Sequence, residues 1–168
     1  MTTEHPLRTR WLIRRDMDEC LEIPGITPWD AEDMVVACRH KSSIGLVCEL
    51  DEVDIQAWMI YTIHRSCFEI ANLAAYDWEF GACFELVQKL VDKLGCERDI
   101  ILVTVPEEQD DILLFFRMCG FTAVIQQGGE ITMRYNLPTL LTMTRMNGVP
   151  ISRATGFPCL VPEGECNE

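Results

Sequence analysis

Two periods of apolar and polar residues alternate along this chain, and the points where one gives way to the other mark its elements. The longest clear change lies in residues 68–94. Phe68-Glu69-Ile70-Ala71-Asn72-Leu73-Ala74-Ala75 is a mostly apolar run of strand length. Residues 76–80 read as a loop carrying two acids, Asp77 and Glu79. Gly81 then opens an amphipathic helix. Phe84, Val87, Leu90, Val91 and Leu94 recur at three- and four-residue steps, and Glu85, Gln88, Lys89, Asp92 and Lys93 fill the other face. The first N–H groups of a helix lack intrahelical partners, and its dipole favours negative charge there. A strand, a glycine loop and a helix start therefore make a generic anion site.

Upstream, Trp11-Leu12-Ile13 reads as a short first strand. Asp16 with Glu19 three residues later reads as a capping box for a helix that Pro24-Gly25 stops. Thr27 as N-cap and Pro28 at the first helical position start a second helix, with Met34, Val35, Ala37 and Cys38 as its buried face. Pro28 and Trp29 could instead shape a loop on the substrate side. Strands over 44–50 and 55–64 flank the turn Asp51-Glu52-Val53-Asp54 as a hairpin, and 67–75 is the strand described above.

Downstream, Ile100-Ile101-Leu102-Val103-Thr104-Val105 is an uncharged, β-branched run of a buried strand. A helix separates it from 67–75, which suits parallel neighbours. An acidic stretch, 107–111, leads into a helix over 112–118 that Gly120 closes. Strands over 121–126 and 131–137 flank Gly128-Gly129, a hairpin signal. The order β-α-α-β-β-β-α-β-α-β-β makes one α+β domain with a mixed sheet over 1–137. Periodicity fades from Pro138, and 138–168 reads as an extended tail.

Composition narrows the function classes. The 168 residues are 48% hydrophobic, enough for a globular core. They contain no apolar run of membrane-spanning length and no signal-peptide pattern, so a cytoplasmic location without membrane contact is expected. Nine cysteines, an odd number without a CxxC pair, point to reduced thiols in apolar surroundings at Cys38, Cys48, Cys67, Cys83 and Cys119. His5, His40 and His64 are too scattered for a metal site. A net charge of −13 argues against nucleic-acid binding, which needs clustered Lys and Arg. It suits a cationic partner, an amine or a basic peptide, or serves solubility alone.

Four stretches carry a resemblance to the GNAT superfamily of acetyl-CoA-dependent N-acetyltransferases, over about residues 10–137. Leu12-Ile13-Arg14 with Asp16-Met17-Asp18 resembles the family's opening motif, and Asn72-Leu73-Ala74-Ala75 its central strand. Gly81 and its helix resemble the phosphate loop. Leu114-Phe115-Phe116-Arg117-Met118-Cys119-Gly120-Phe121 resembles the closing motif and is the most specific. The nearest branch is the bacterial enzymes that acetylate the N-terminus of a ribosomal protein.

The resemblance implies the GNAT fold and acetyl-CoA as cosubstrate. A bulge at Leu73, Ala74 and Ala75 would open the central strand to the pantetheine arm, with the Leu73 N–H on the thioester carbonyl. Glu79, Phe80, Gly81, Ala82 and Cys83 would hold the pyrophosphate, with Gln109 and Phe116 also against the cofactor. Glu69 is the candidate general base and Asn72 a candidate contact to the amine. A primary amine, such as a protein N-terminus, would attack the thioester directly. A homodimer is compatible with this reading.

Several positions depart from the family pattern. Trp78 stands at the Arg/Gln position of the phosphate loop and Cys83 at its last small residue. Gln109 replaces an asparagine, Phe116 a tyrosine that acts as general acid, and Thr104 and Pro106 a Glu and an Arg. Tyr76 and Tyr135 are candidate stand-ins for the missing acid. Cys83 is either a thiol activated by the helix N-terminus or core filler. The departures keep open a second class, a catalytically silent GNAT-like domain that binds a protein or ligand.

Overall fold

A computed structural model of the chain describes residues 6–78, 81–95 and 98–137. The tail expected over 138–168, and Glu79 and Phe80 of the phosphate loop, lie outside the described residues. Seven strands form one sheet: β1 (Leu7–Trp11), β2 (Ser43–Leu50), β3 (Asp54–Ile63), β4 (Cys67–Ala75), β5 (Ile100–Pro106), β6 (Thr122–Gln127) and β7 (Glu130–Asn136). Their order in the sheet is β1-β2-β3-β4-β5-β7-β6. Among the described residues four α-helices accompany them: α1 (Met17–Glu22), α2 (Ala31–Arg39), α3 (Gly81–Val91) and α4 (Asp110–Met118).

All neighbouring strands are antiparallel except β4 and β5. That pair is parallel because α3 connects them as a crossover. The hairpin between β6 and β7 turns through Gly128 and Gly129, at φ 63° and 79°. Both glycines occupy the left-handed region that a tight two-residue hairpin turn demands.

Strand alternation divides the core in two. One cluster joins α1 and α2 to Val47, Trp58, Ile60 and Ala74. The larger one joins α3 and α4 to Met59, Leu73, Ile101, Val103 and Met133. Leu86 and Leu90 of α3 are fully buried, and each such side chain contributes about 1.5–3 kcal/mol. The helix spacing places Ala82, Cys83, Leu86, Val87, Leu90 and Val91 inward. Phe84, expected on the buried face, is 46% exposed, because its position faces the gap between α3 and α4.

The N-terminal expectations need correction. The first strand is Leu7–Trp11, four residues earlier than the apolar triplet suggests. That register lets Arg10 reach two acids at once: Nη1 and Nη2 donate to Asp16 at 2.7 and 3.1 Å, and Nε donates to Glu49 at 2.7 Å. Asp16 accordingly does not form a capping box with Glu19. It ends a 3-10 turn, Arg14–Asp16, and accepts the Ile13 N–H, while Glu19 accepts the Ile55 N–H. Helix α2 starts not at Thr27-Pro28 but at Ala31. Asp30 and Asp33 form the reciprocal box, each carboxylate accepting the other's N–H.

Candidate functional site

The sheet opens in the middle of β4. Ile60 pairs with Asn72 and Tyr61 with Ile70, so Ala71 is the extra residue of a β-bulge. The bulge therefore lies before Leu73, Ala74 and Ala75, where it was expected, rather than within them. Pairing between β4 and β5 runs from Cys67/Ile100 to Ile70/Val103 and ends there. Beyond the bulge the two strands part, with Leu73, Ala74 and Ala75 on one side and Thr104, Val105 and Pro106 on the other.

Backbone groups alternate between the two edges of a strand. Tyr76 N–H donates toward β3, to Gln56 O at 3.3 Å, so Ala75 and Leu73 present their groups on the edge that β5 vacates. Those groups are engaged. Ile26 N–H donates to Leu73 O at 2.9 Å, Ala75 N–H donates to Pro24 O at 3.1 Å, and Gly25 bridges Ala74. Leu73 N–H donates to Asn72 Oδ1 at 3.0 Å. Asn72 is fully buried, and its amide also binds both backbone groups of Thr27.

A groove of about 730 Å³ runs beside this opening. Its walls are the turn after β4 (Tyr76, Asp77, Trp78), the start of α3 (Gly81, Phe84) and one face of α4 (Asp111, Leu114, Phe115, Met118, Cys119). Trp78 packs edge-on against Phe115, with ring centroids 5.4 Å apart, and so forms part of the wall. Among the described residues the lining carries two carboxylates, Asp77 and Asp111, and neither Lys nor Arg. Phe116 is wholly buried between Phe115 and Phe121 and does not line the groove; its neighbour Phe115 does. Gln109 caps α4 where β5 ends. Its Oε1 is buried without a hydrogen-bond partner among the described residues.

Cys83 sits in the first turn of α3, and of its two readings the structure favours core filler over an activated thiol. Burial pushes its thiol up to about 11, and Sγ lies 3.8 and 3.7 Å from the carbonyl oxygens of Asp77 and Trp78. Ala82 beside it is buried. Glu69 lies two residues before the bulge. It is exposed and hydrogen-bonded to His64, Glu69 Oε2 to Nε2 at 2.8 Å. Cys38, expected in apolar surroundings, is exposed. Among the described residues, no cluster of His, Cys, Asp or Glu could hold a metal ion, and no helix is long and apolar enough to cross a membrane.

Sequence reasoning missed the Pro24–Ile26 segment and Phe84. The only signal for the first was Pro24-Gly25 itself, a helix stop that carries no partner.

Solved structures share this architecture. A domain from Methanocaldococcus jannaschii matches with a TM-score of 0.62 and 13% identity, over 80% of this chain and 100% of that one. The ribosomal-protein-S18-alanine N-acetyltransferase of Escherichia coli matches with a TM-score of 0.62 and 12% identity, over 79% and 94%. The yncA protein of Salmonella typhimurium, solved with its cofactor acetyl-CoA, matches with a TM-score of 0.58 and 14% identity, over 79% and 94%. No family model and no curated protein matches the sequence. The fold is the GNAT N-acetyltransferase fold, a seven-stranded mixed sheet with four helices.

The parted strands and the groove match the amide-bearing arm of an acyl-CoA group in form, while Pro24, Gly25 and Ile26 hold the β4 edge that such an arm would pair with. The two groove carboxylates oppose a pyrophosphate.

Proposed function

We propose that this chain is an acyl-CoA-dependent N-acyltransferase acting on a primary amine, with a protein N-terminus or basic peptide as the acceptor. The parting of β4 from β5 after Ile70/Val103, at the Ala71 bulge, carries this reading. Neighbours of the same fold include the ribosomal-protein-S18-alanine N-acetyltransferase of Escherichia coli and the spermidine/spermine N-acetyltransferase of Vibrio cholerae. The acidic surface, net charge −13, suits an amine. A cytoplasmic location goes with this reading.

Acetyl-CoA would supply an acyl group already activated as a thioester, so no nucleophile of the protein is needed. The chain's own part is positioning, electrostatics and proton removal. Leu73 O and Ala75 N–H face the edge that β5 vacates, where Ile26 and Pro24 hold them in this structure. The start of α3, with Gly81, Ala82 and Cys83, offers amide N–H groups and its dipole. Glu69, beside the bulge and oriented by His64, accepts the proton of the attacking amine. Asn72 lines the same stretch but spends its amide on Thr27 and Leu73, so its role is to hold the backbone.

Titration of the purified protein with acetyl-CoA, followed by thiol release with spermidine and an alanine-starting peptide as acceptors, tests the reading. Micromolar binding and acceptor-dependent thiol release support it. Absence of binding at millimolar acetyl-CoA ends it.

One observation favours the silent-domain reading. Asp77 and Asp111 place two carboxylates in the groove lining, and Phe116 has no hydroxyl to protonate a leaving thiolate. That domain would bind a cationic partner in the groove and leave acetyl-CoA untouched.

A further inference from the structure

The β4 edge that β5 leaves is filled by the chain itself. Pro24, Gly25 and Ile26 run antiparallel to it between α1 and α2, with Gly25 opposite Ala74. Ile23 belongs to the core under α1 and α2, and Ile26 to the core under α3 and α4. The segment therefore lies along the β4 edge in the gap between the parted strands, and Ile26, 2% exposed and turned toward the core under α3 and α4, plugs it. Gly25 makes the close approach feasible. A Cβ there would meet Asn72 Oδ1 at 3.0 Å and Nδ2 at 3.2 Å, with Thr27 O also at 3.2 Å.

An extended amide chain that adds to β4 needs the same two groups, Leu73 O and Ala75 N–H. Two chains cannot share them. We propose that Pro24–Ile26 is an intramolecular latch that occupies the β4 edge in place of an acyl-CoA arm and must open before that arm binds. This rests on the acyltransferase reading.

The exchange is chemically balanced. Each backbone hydrogen bond that the latch gives up is replaced by one from the incoming amide chain, so the edge is satisfied in both states. What opposes opening is the burial of Ile26 and the Asn72–Thr27 clasp. A ligand that binds only the open form has its affinity reduced by the open fraction, and weakening the latch restores it.

The test is calorimetric titration of coenzyme A into the wild-type chain and into Gly25→Ala and Ile26→Ala, each checked by circular dichroism for retained fold. Gly25→Ala wedges the latch away from Asn72, and Ile26→Ala removes the plug. About tenfold tighter binding in both variants is expected, as when an open fraction of about a tenth rises toward one. Amide exchange on the wild-type chain gives a second readout that needs no variant. Saturating coenzyme A is expected to speed exchange at the Ile26 amide at least about tenfold, while Ala75 stays protected by the ligand. Equal affinities together with an Ile26 amide that stays protected would overturn the latch and leave the acyltransferase reading standing. Failure of all three folded proteins to bind coenzyme A overturns that reading, and the latch as its gate with it.

Discussion

Asn72 Nδ2 donates to Thr27 O at 3.0 Å while its Oδ1 accepts the Thr27 N–H at 3.4 Å, so one buried side chain satisfies both backbone groups of a residue 45 positions away. Oδ1 takes the Leu73 N–H as well. Truncation leaves three backbone groups to find new partners. Asn72→Ala is expected to lower stability by about 2 kcal/mol, read as a shifted urea midpoint at unchanged slope. An unshifted midpoint would mean that the clasp contributes nothing.

The Arg10–Asp16–Glu49 cluster predicts acid sensitivity. Burial alone would raise the Asp16 carboxyl, but the Arg10 guanidinium and the Ile13 N–H overturn this and hold it below the ordinary value of 3.8. A carboxyl depressed in the folded state stabilises the fold fully above its unfolded value. That contribution is lost as pH falls through the lower folded one. Wild type should therefore lose stability below about pH 4 by more than Asp16→Asn does, which starts lower by about 2 kcal/mol at neutral pH. Thermal melts from pH 7 to pH 2.5 would show it as curves that converge.

Tyr61 offers a prediction of opposite sign. Its ring is fully buried, edge-on to Phe68 at 5.7 Å, and its hydroxyl has no hydrogen-bond partner among the described residues. Burial pushes the hydroxyl's pKa up. Tyr61→Phe removes a desolvated polar atom and keeps the packing, so it is expected to stabilise by about 1 kcal/mol. A destabilised variant would reveal a partner for the hydroxyl.

The groove carboxylates should weaken binding of an anionic cofactor. Asp77→Asn with Asp111→Asn removes two charges from the lining and is expected to tighten coenzyme A binding by about tenfold at low salt, fading toward molar salt as screening sets in. A salt-independent change would point to shape rather than charge.

Glu69→Gln separates chemistry from binding. Its side chain is half exposed beside the bulge and holds His64. Acetyl-CoA affinity should stay unchanged while acyl transfer falls by about a hundredfold or more, the usual range for a lost general base. Loss of affinity instead would assign Glu69 a positioning part.

Local chemistry was enough for most of the architecture. The mostly apolar run at β4 ends where the strand ends, at Ala75, and the glycine pair Gly128-Gly129 turns where the spacing says. A helix between two apolar runs makes β4 and β5 parallel neighbours, and this follows from connection geometry alone. The acids and glycines around α3 and α4 marked the region of the groove. All of these depend on residues within a few positions of one another, so the sequence by itself determined them.

What only the tertiary structure decided depends on partners far along the chain. The bulge falls at Ala71, and register is settled by β3 across the ladder rather than by β4's own pattern. Asp16 reads locally as a helix cap, yet Arg10 on β1 and Glu49 on β2 claim that corner of the fold. Phe84 has the spacing of a core residue, but whether its position is covered depends on how α4 lies. The Pro24–Ile26 segment is the clearest case. A helix stop announces only that a chain turns, and the hydrogen bonds it then makes are set by which strand edge the assembled sheet leaves unpaired.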